Sequence, residues 1–146
     1  MAITSAICNS FKQEILEAEH NFTASTGNTF NLALYDSDAT LGAGTTAYTT
    51  SEEITNTSGT AYSAKGKALT SVTPTLDSST AVCDFADVSW PSASFTARGC
   101  LIFNDSHSTD ASVCAVAFGG DKTVSSGTFT VQFPAAAATT AIVRIA

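Results

Sequence analysis

Segment 81–105, AVCDFADVSWPSASFTARGCLIFND, constrains the fold of this chain more than any other stretch. In its second half Phe95, Ala97, Gly99, Leu101 and Phe103 share one parity, while Thr96, Arg98 and Asn104 share the other, which is the period of a half-buried strand. In its first half the apolar set changes parity, from Cys83 and Phe85 to Val88 and Trp90, so a bulge or bend is expected at Ala86-Asp87. Pro91 has no N–H for a ladder and holds Trp90 in extended geometry; the first strand is expected to stop at Trp90, with 91–94 as the connection. The stretch reads as core scaffold and carries no catalytic motif.

Short strand signals recur along the rest of the chain. Phe30, Leu32 and Leu34 alternate with Asn31, Ala33 and Tyr35, predicting the first strand of a β domain. The Thr-rich segment 45–64 predicts one or two short edge strands joined by a loop around 56–59. Its Tyr48 and Tyr62 offer exposed hydroxyls to a sugar or partner, or ordinary packing. Lys65-Gly66-Lys67 marks a turn, Leu69 and Val72 a strand ending near Pro74, and Asp77-Ser78-Ser79 a further turn. After the polar loop 104–110, Cys114, Val116 and Phe118 share a face, and 119–122 reads as a turn. Phe129, Val131 and Phe133 then alternate up to Pro134, and an alanine-rich connection leads to a last strand over 141–145.

Ahead of these strands Ile3, Ile7, Phe11 and Ile15 recur every fourth position, with Leu16 beside them and Lys12, Gln13, Glu14 and Glu17 mostly elsewhere. This predicts an amphipathic helix over 3–19. Thr4 or Ser5 is available as its cap, although neither completes a capping box. The apolar stripe either covers the sheet or packs on another subunit. About eight strands after one helix, with no helical crossovers between strands, predict a mainly β chain: a jelly-roll or Greek-key β-sandwich. The expected organisation is an N-terminal amphipathic helix and linker over 1–22 and a single β-sandwich domain over 23–146. A domain of 146 residues typically buries about 68–70% of the surface of its unfolded chain, enough for a core without metals or disulfides.

Chemistry-bearing motifs are sparse. His20 and His107 lie far apart in sequence, and neither adjoins a nucleophile motif. Glu52-Glu53 and Asp84 with Asp87 offer acid–base pairs of a kind that polar strand ends also produce. Segment 36–44, DSDATLGAG, lacks the third acidic ligand and closing Glu of a calcium loop and reads as a solvated turn. Gly42-x-Gly44 and Gly119-Gly120 lack the lysine-hydroxyl signature of a phosphate loop. Cys8, Cys83, Cys100 and Cys114 have neither metal-ligand spacing nor neighbouring histidines and read as buried thiols, though Cys83, Cys100 and Cys114 fall in separate predicted strands that can approach. No enzymatic activity, cofactor or metal is expected.

A net charge of −7 opposes the attraction to phosphate that drives non-specific nucleic-acid binding, so no direct nucleic-acid partner is expected. The six basic residues form no polybasic patch, and no apolar run reaches the roughly 18 residues of a membrane span. The start of the chain has no basic leader or cleavage pattern. Synthesis in a reducing cytoplasm is therefore expected, and the triplets at Asn21, Asn56 and Asn104 are read as chance matches to the glycosylation signal.

The order MAITSAICNSFKQEILEAEHNF, FADVSWPSASFTARGCLIFND and GGDKTVSSGTFTVQFPAAAATTAIVRIA resembles small β-rich virion structural proteins of tailed bacteriophages, over nearly the whole chain. The resemblance implies a capsid decoration, or cement, protein: non-enzymatic, on the capsid exterior, bound to the major capsid protein, and a homo-oligomer (dimer or trimer). It supplies no binding residues of its own. Under this expectation the stripe Ile3, Ile7, Phe11 and Ile15 packs on the shell or a sister subunit. The alternatives are a tail or fibre adhesin whose Tyr48, Tyr62 and Trp90 stack on sugar rings, and a tail-connector component.

Overall fold

The computed structural model describes residues 2–54 and 61–146. Its described residues form eight strands and one short helix: β1 (Ala6–Ile7), α1 (Asn9–Leu16), β2 (Phe30–Tyr35), β3 (Lys67–Ala68), β4 (Ser71–Asp77), β5 (Thr80–Phe85), β6 (Val88–Asn104), β7 (Ser112–Val131) and β8 (Val143–Ile145). Two antiparallel sheets, ordered β1-β7-β6-β2-β3 and β4-β5-β8, make the mainly β sandwich that the strand spacing predicts. The chain leaves the large sheet after β3, builds the β4–β5 hairpin in the small one, and returns beside β2. Sandwiches use such crossings to close a core between two layers.

Alternation holds where the sequence is most regular. In β2, Phe30, Leu32 and Leu34 enter the core between the sheets, while Ala33 and Tyr35 enter a second cluster with Leu41, Leu101, Phe103 and Ala115 on the opposite side of the large sheet. All six β2 residues are therefore buried. The turn at Lys65-Gly66 is also as expected: both residues have left-handed backbone, and a Cβ on Gly66 would lie 1.8 Å from the Leu32 carbonyl oxygen. The β4–β5 hairpin turns at Ser78-Ser79, and Pro74 sits on an edge strand beside a register shift, where a missing N–H is tolerated.

The central stretch departs from expectation. The chain breaks at Ala86-Asp87, between β5 and β6, and β6 runs through Pro91 as one seventeen-residue strand. Pro91 and Ser92 together face the single residue between Gly127 and Phe129 of β7, and Ser92 takes φ 54°, so a bulge absorbs the proline. On β7, Ser125 and Ser126 then face Ser94 alone, and the Ser126 N–H donates to Ser94 Oγ at 2.9 Å. Gly119-Gly120 is not a hairpin turn. Phe118, Gly119, Gly120 and Asp121 bulge opposite Arg98, whose Nε donates to Asp121 Oδ1 at 2.6 Å, and β7 continues unbroken. Across this wide bulge the strand rotates, so Ala97 joins Cys100 and Ile102 in the main core while Leu101 and Phe103 face the second cluster. The expected single face from Phe95 to Phe103 is thus divided at Arg98.

The N-terminal helix is shorter than its periodicity predicts. Ile3 bridges Leu41, and Ala6–Ile7 pairs with β7; β-branched residues suit this extended geometry. The Cys8 N–H donates to the Val113 carbonyl, and α1 begins only at Asn9 with no side-chain cap. It ends at Leu16, followed by Ala18 in left-handed geometry. Segment 1–22, expected to precede the sandwich, thereby contributes a strand to the large sheet.

Candidate functional site

The four residues expected to meet a partner are distributed through the fold. Ile3 packs on the second cluster, with its side chain 2.9 Å from where a Cβ on Gly99 would stand. Ile7 lies opposite Cys114 in the sheet, and Ile7 and Ile15 pack half-buried on the main core. Phe11 is 3% exposed, with its ring 5.0 Å from His20 and 6.0 Å from Phe22 in an edge contact. The apolar side chain that α1 leaves in solvent is Leu16.

The aromatic platform expected of an adhesin is also internal. Trp90 and Tyr62 are fully buried with rings 5.8 Å apart, and Tyr48 is half-buried and stacked on Phe103. The hydroxyls of Tyr48 and Tyr62 both donate to the buried Glu53 carboxylate, which also accepts the Lys65 N–H at 2.8 Å. The Tyr62 oxygen in turn accepts the Leu34 N–H at 2.9 Å, and Tyr35 donates to the Thr49 carbonyl at 2.7 Å. Burial, then the adjoining carboxylate, pushes the Tyr48 phenol up to about 12 and raises Tyr62 further; burial raises Tyr35 as well. Lys65 adds Nζ contacts to Asp105 at 2.9 Å and Asp110 at 2.8 Å. This network staples the 45–54 and 61–66 segments to β2 and the β6–β7 loop. The predicted loop at 56–59 lies outside the described residues; on either side, 45–54 and 61–64 hold only isolated bridges, at Ala47 and Glu53, where edge strands were expected.

The other acidic residues considered as acid–base pairs have structural partners or stand in solvent. Asp84 accepts the Phe85 N–H at 2.8 Å, and Asp87 accepts the Phe133 N–H at 2.9 Å. Glu52, Asp36 and Asp38 place carboxylate oxygens within 4.8 Å of one another at the surface turn. Cys8, Cys100 and Cys114 are buried and Cys83 half-buried; all four are free thiols. Burial pushes Cys83 up to about 11 and Cys100 to about 12.

Sequence separation hides one cluster. His20 and His107, far apart in sequence, stack with centroids 6.4 Å apart. His20 Nε2 meets the Glu14 carboxylate at 2.8 Å, its Nδ1 faces Asn104 Nδ2 at 3.2 Å, and His107 Nε2 lies 3.4 Å from Glu19. The amide of Asn104 is held by Glu19 O and the Ser106 N–H, so the partners call for N–H on Nε2 and a lone pair on Nδ1 of His20. The cluster ties α1 to the end of β6. Asn104 is fully buried, which removes it as a glycosylation acceptor.

One surface combines apolar exposure with open backbone. Leu76, Ala81 and Ile145 lie directly opposite one another across the small sheet, on the face that carries Cys83, Val143 and Phe85 into the core. This row continues the core face into solvent, with Leu76 73% and Ile145 55% exposed. β8 is an edge strand of that sheet. No family model, curated protein or solved structure matches this chain.

Proposed function

We propose that this chain is a non-enzymatic virion structural protein of a tailed bacteriophage, a decoration protein that binds the major capsid protein on the outside of the shell and stabilises it. The observation that carries the reading is the exposed row Leu76, Ala81 and Ile145 beside the open edge of β8. An apolar row next to unpaired backbone suits a partner that adds a strand and buries side chains at once. The network around Glu53 and the cluster around His20 support the same reading, because they tie loops and helix into one rigid body. Rigidity suits a clamp, since less freedom is lost on binding. A modest interface repeated at symmetry-related sites then sums to substantial reinforcement. The net charge of −7 suits a position away from the packaged genome.

The test is co-sedimentation of the purified chain with shells that lack it. Wild-type chain is expected to pellet with shells, and Leu76→Asp with Ile145→Asp is expected to stay in the supernatant while keeping its thermal midpoint. Pelleting by the double variant equal to wild type would overturn the assignment of the surface. Saturable sugar binding on a glycan array would favour the adhesin, and ring assembly would favour the connector.

A further inference from the structure

A second feature is a cavity of about 410 Å³ beside the core, within the range of small-molecule sites. Its walls come from the core face of the large sheet, including Val116, Phe118 and Phe129, and from Phe133 and Ile142 on the path to β8. Lys122, Thr130 and Gln132 are the polar residues of an otherwise apolar lining, which suits a ligand with a hydrocarbon portion. Lys122 stands at the same cavity, in register with fully buried Ala97 and hence on the core-facing side of β7. The wide bulge at Gly119-Gly120 immediately precedes it.

Lys122 has no acidic partner among the described residues. The other five basic side chains each contact an acceptor: Lys12 meets Asn9, Lys65 meets Asp105 and Asp110, Lys67 the Ser89 carbonyl, Arg98 meets Asp121, and Arg144 the Ala138 carbonyl. Among the described residues Lys122 has no ion pair, although acidic residues outnumber basic ones by 13 to 6. Lys122 is exposed, and an exposed lysine lining a mostly apolar cavity fits an amphiphile with a negative head and a hydrocarbon tail.

We propose that the cavity binds a fatty carboxylate, with the tail among Phe118, Phe129, Phe133 and Ile142 and the head group at Lys122. The cavity lining shares no residue with the Leu76–Ala81–Ile145 row, so ligand binding and shell attachment are tested with separate variants.

Calorimetric titration of the full chain with dodecanoate, dodecanol and dodecylamine tests it. Dodecanoate is expected to bind saturably at one site, with dodecylamine at least tenfold weaker. Lys122→Met is expected to lower dodecanoate affinity about tenfold and leave dodecanol unchanged. Val116→Phe, which fills the cavity from a half-buried position, is expected to abolish both, and Ile142→Trp serves if Val116→Phe does not fold. Absence of saturable dodecanoate binding, or equal affinity for dodecylamine, would overturn the proposal. So would a Lys122→Met chain that binds dodecanoate normally but dimerises, since the lysine would then be a guard against edge pairing.

Discussion

Replacing Phe11 by alanine tests whether α1 is part of the core or an appendage available to a partner. Phe11 is 3% exposed and its ring contacts His20 and Phe22, so truncation removes a nearly fully buried aromatic from a packed cluster. Such truncations cost about 3–5 kcal/mol, and the pairing of β1 with β7 on one side and the His20–Glu14 contact on the other limit collapse into the void. Taking about 4 kcal/mol, and roughly 3 °C of melting temperature per kcal/mol for a domain near this size, the midpoint falls by about 12 °C. Leu16→Ala is the internal control: at 88% exposure it is expected to change stability by less than about 0.5 kcal/mol. Scanning calorimetry on both variants, with urea denaturation as a check, reads the difference. A Phe11→Ala midpoint within about 3 °C of wild type, with far-ultraviolet circular dichroism unchanged, would refute the placement of the helix in the core.

Three further outcomes concern the tyrosines, the thiols and the Lys65-Gly66 turn. The tyrosines are raised above 10 in the folded chain, with Tyr48 at about 12, so the folded state binds their protons more tightly than the unfolded state does. Their contribution is complete below pH 10 and is lost as pH rises through about 12; tyrosinate absorbance is expected to stay silent near pH 10 and to appear together with unfolding, and a tyrosine titrating at 10 in the native protein would contradict the Glu53 network. An aromatic disulfide reagent at neutral pH is expected to leave Cys100 and Cys114 unmodified in the native chain and to find four thiols after denaturation, because both are buried and their thiolates are disfavoured. Gly66→Ala is expected to cost about 3 kcal/mol or more, read from the urea midpoint, because the added Cβ meets the Leu32 carbonyl and φ is +64°; Gly44→Ala, with open space around its Cβ, is the neutral comparison.

The readable parts of the sequence are those where local pattern and tertiary environment agree. Phe30 to Tyr35 alternates and is a strand; Lys65-Gly66 demands left-handed backbone and is a turn. Ile3 to Ile15 carries a helical period, yet hydrogen bonding of its first residues to Leu41 and Val113 outweighs that period and leaves a helix of eight residues. Pro91 and Gly119-Gly120 have the chemistry of breaks, but in a long β6–β7 hairpin they sit in bulges, which a one-dimensional reading does not separate from turns. Tyr62 and Glu53 are polar residues in a polar stretch; their burial follows from their mutual hydrogen bond, from the Tyr48 hydroxyl and Lys65 N–H on Glu53, and from the Leu34 N–H on Tyr62. The pairing of His20 with Asn104 spans 84 positions and leaves no local trace. The row Leu76, Ala81 and Ile145 depends on cross-strand register, which periodicity within single strands does not specify.

Cryo-electron microscopy of the proposed parent particle is the decisive measurement, with the β6–β7 hairpin and the Trp90-Pro91 bulge as markers for placing the chain in density. If the proposed function holds, copies are expected at symmetry-related positions on the shell exterior, with the edge of β8 and the Leu76–Ala81–Ile145 row against the major capsid protein. Density confined to the tail or a fibre, or no density on any particle, would contradict it.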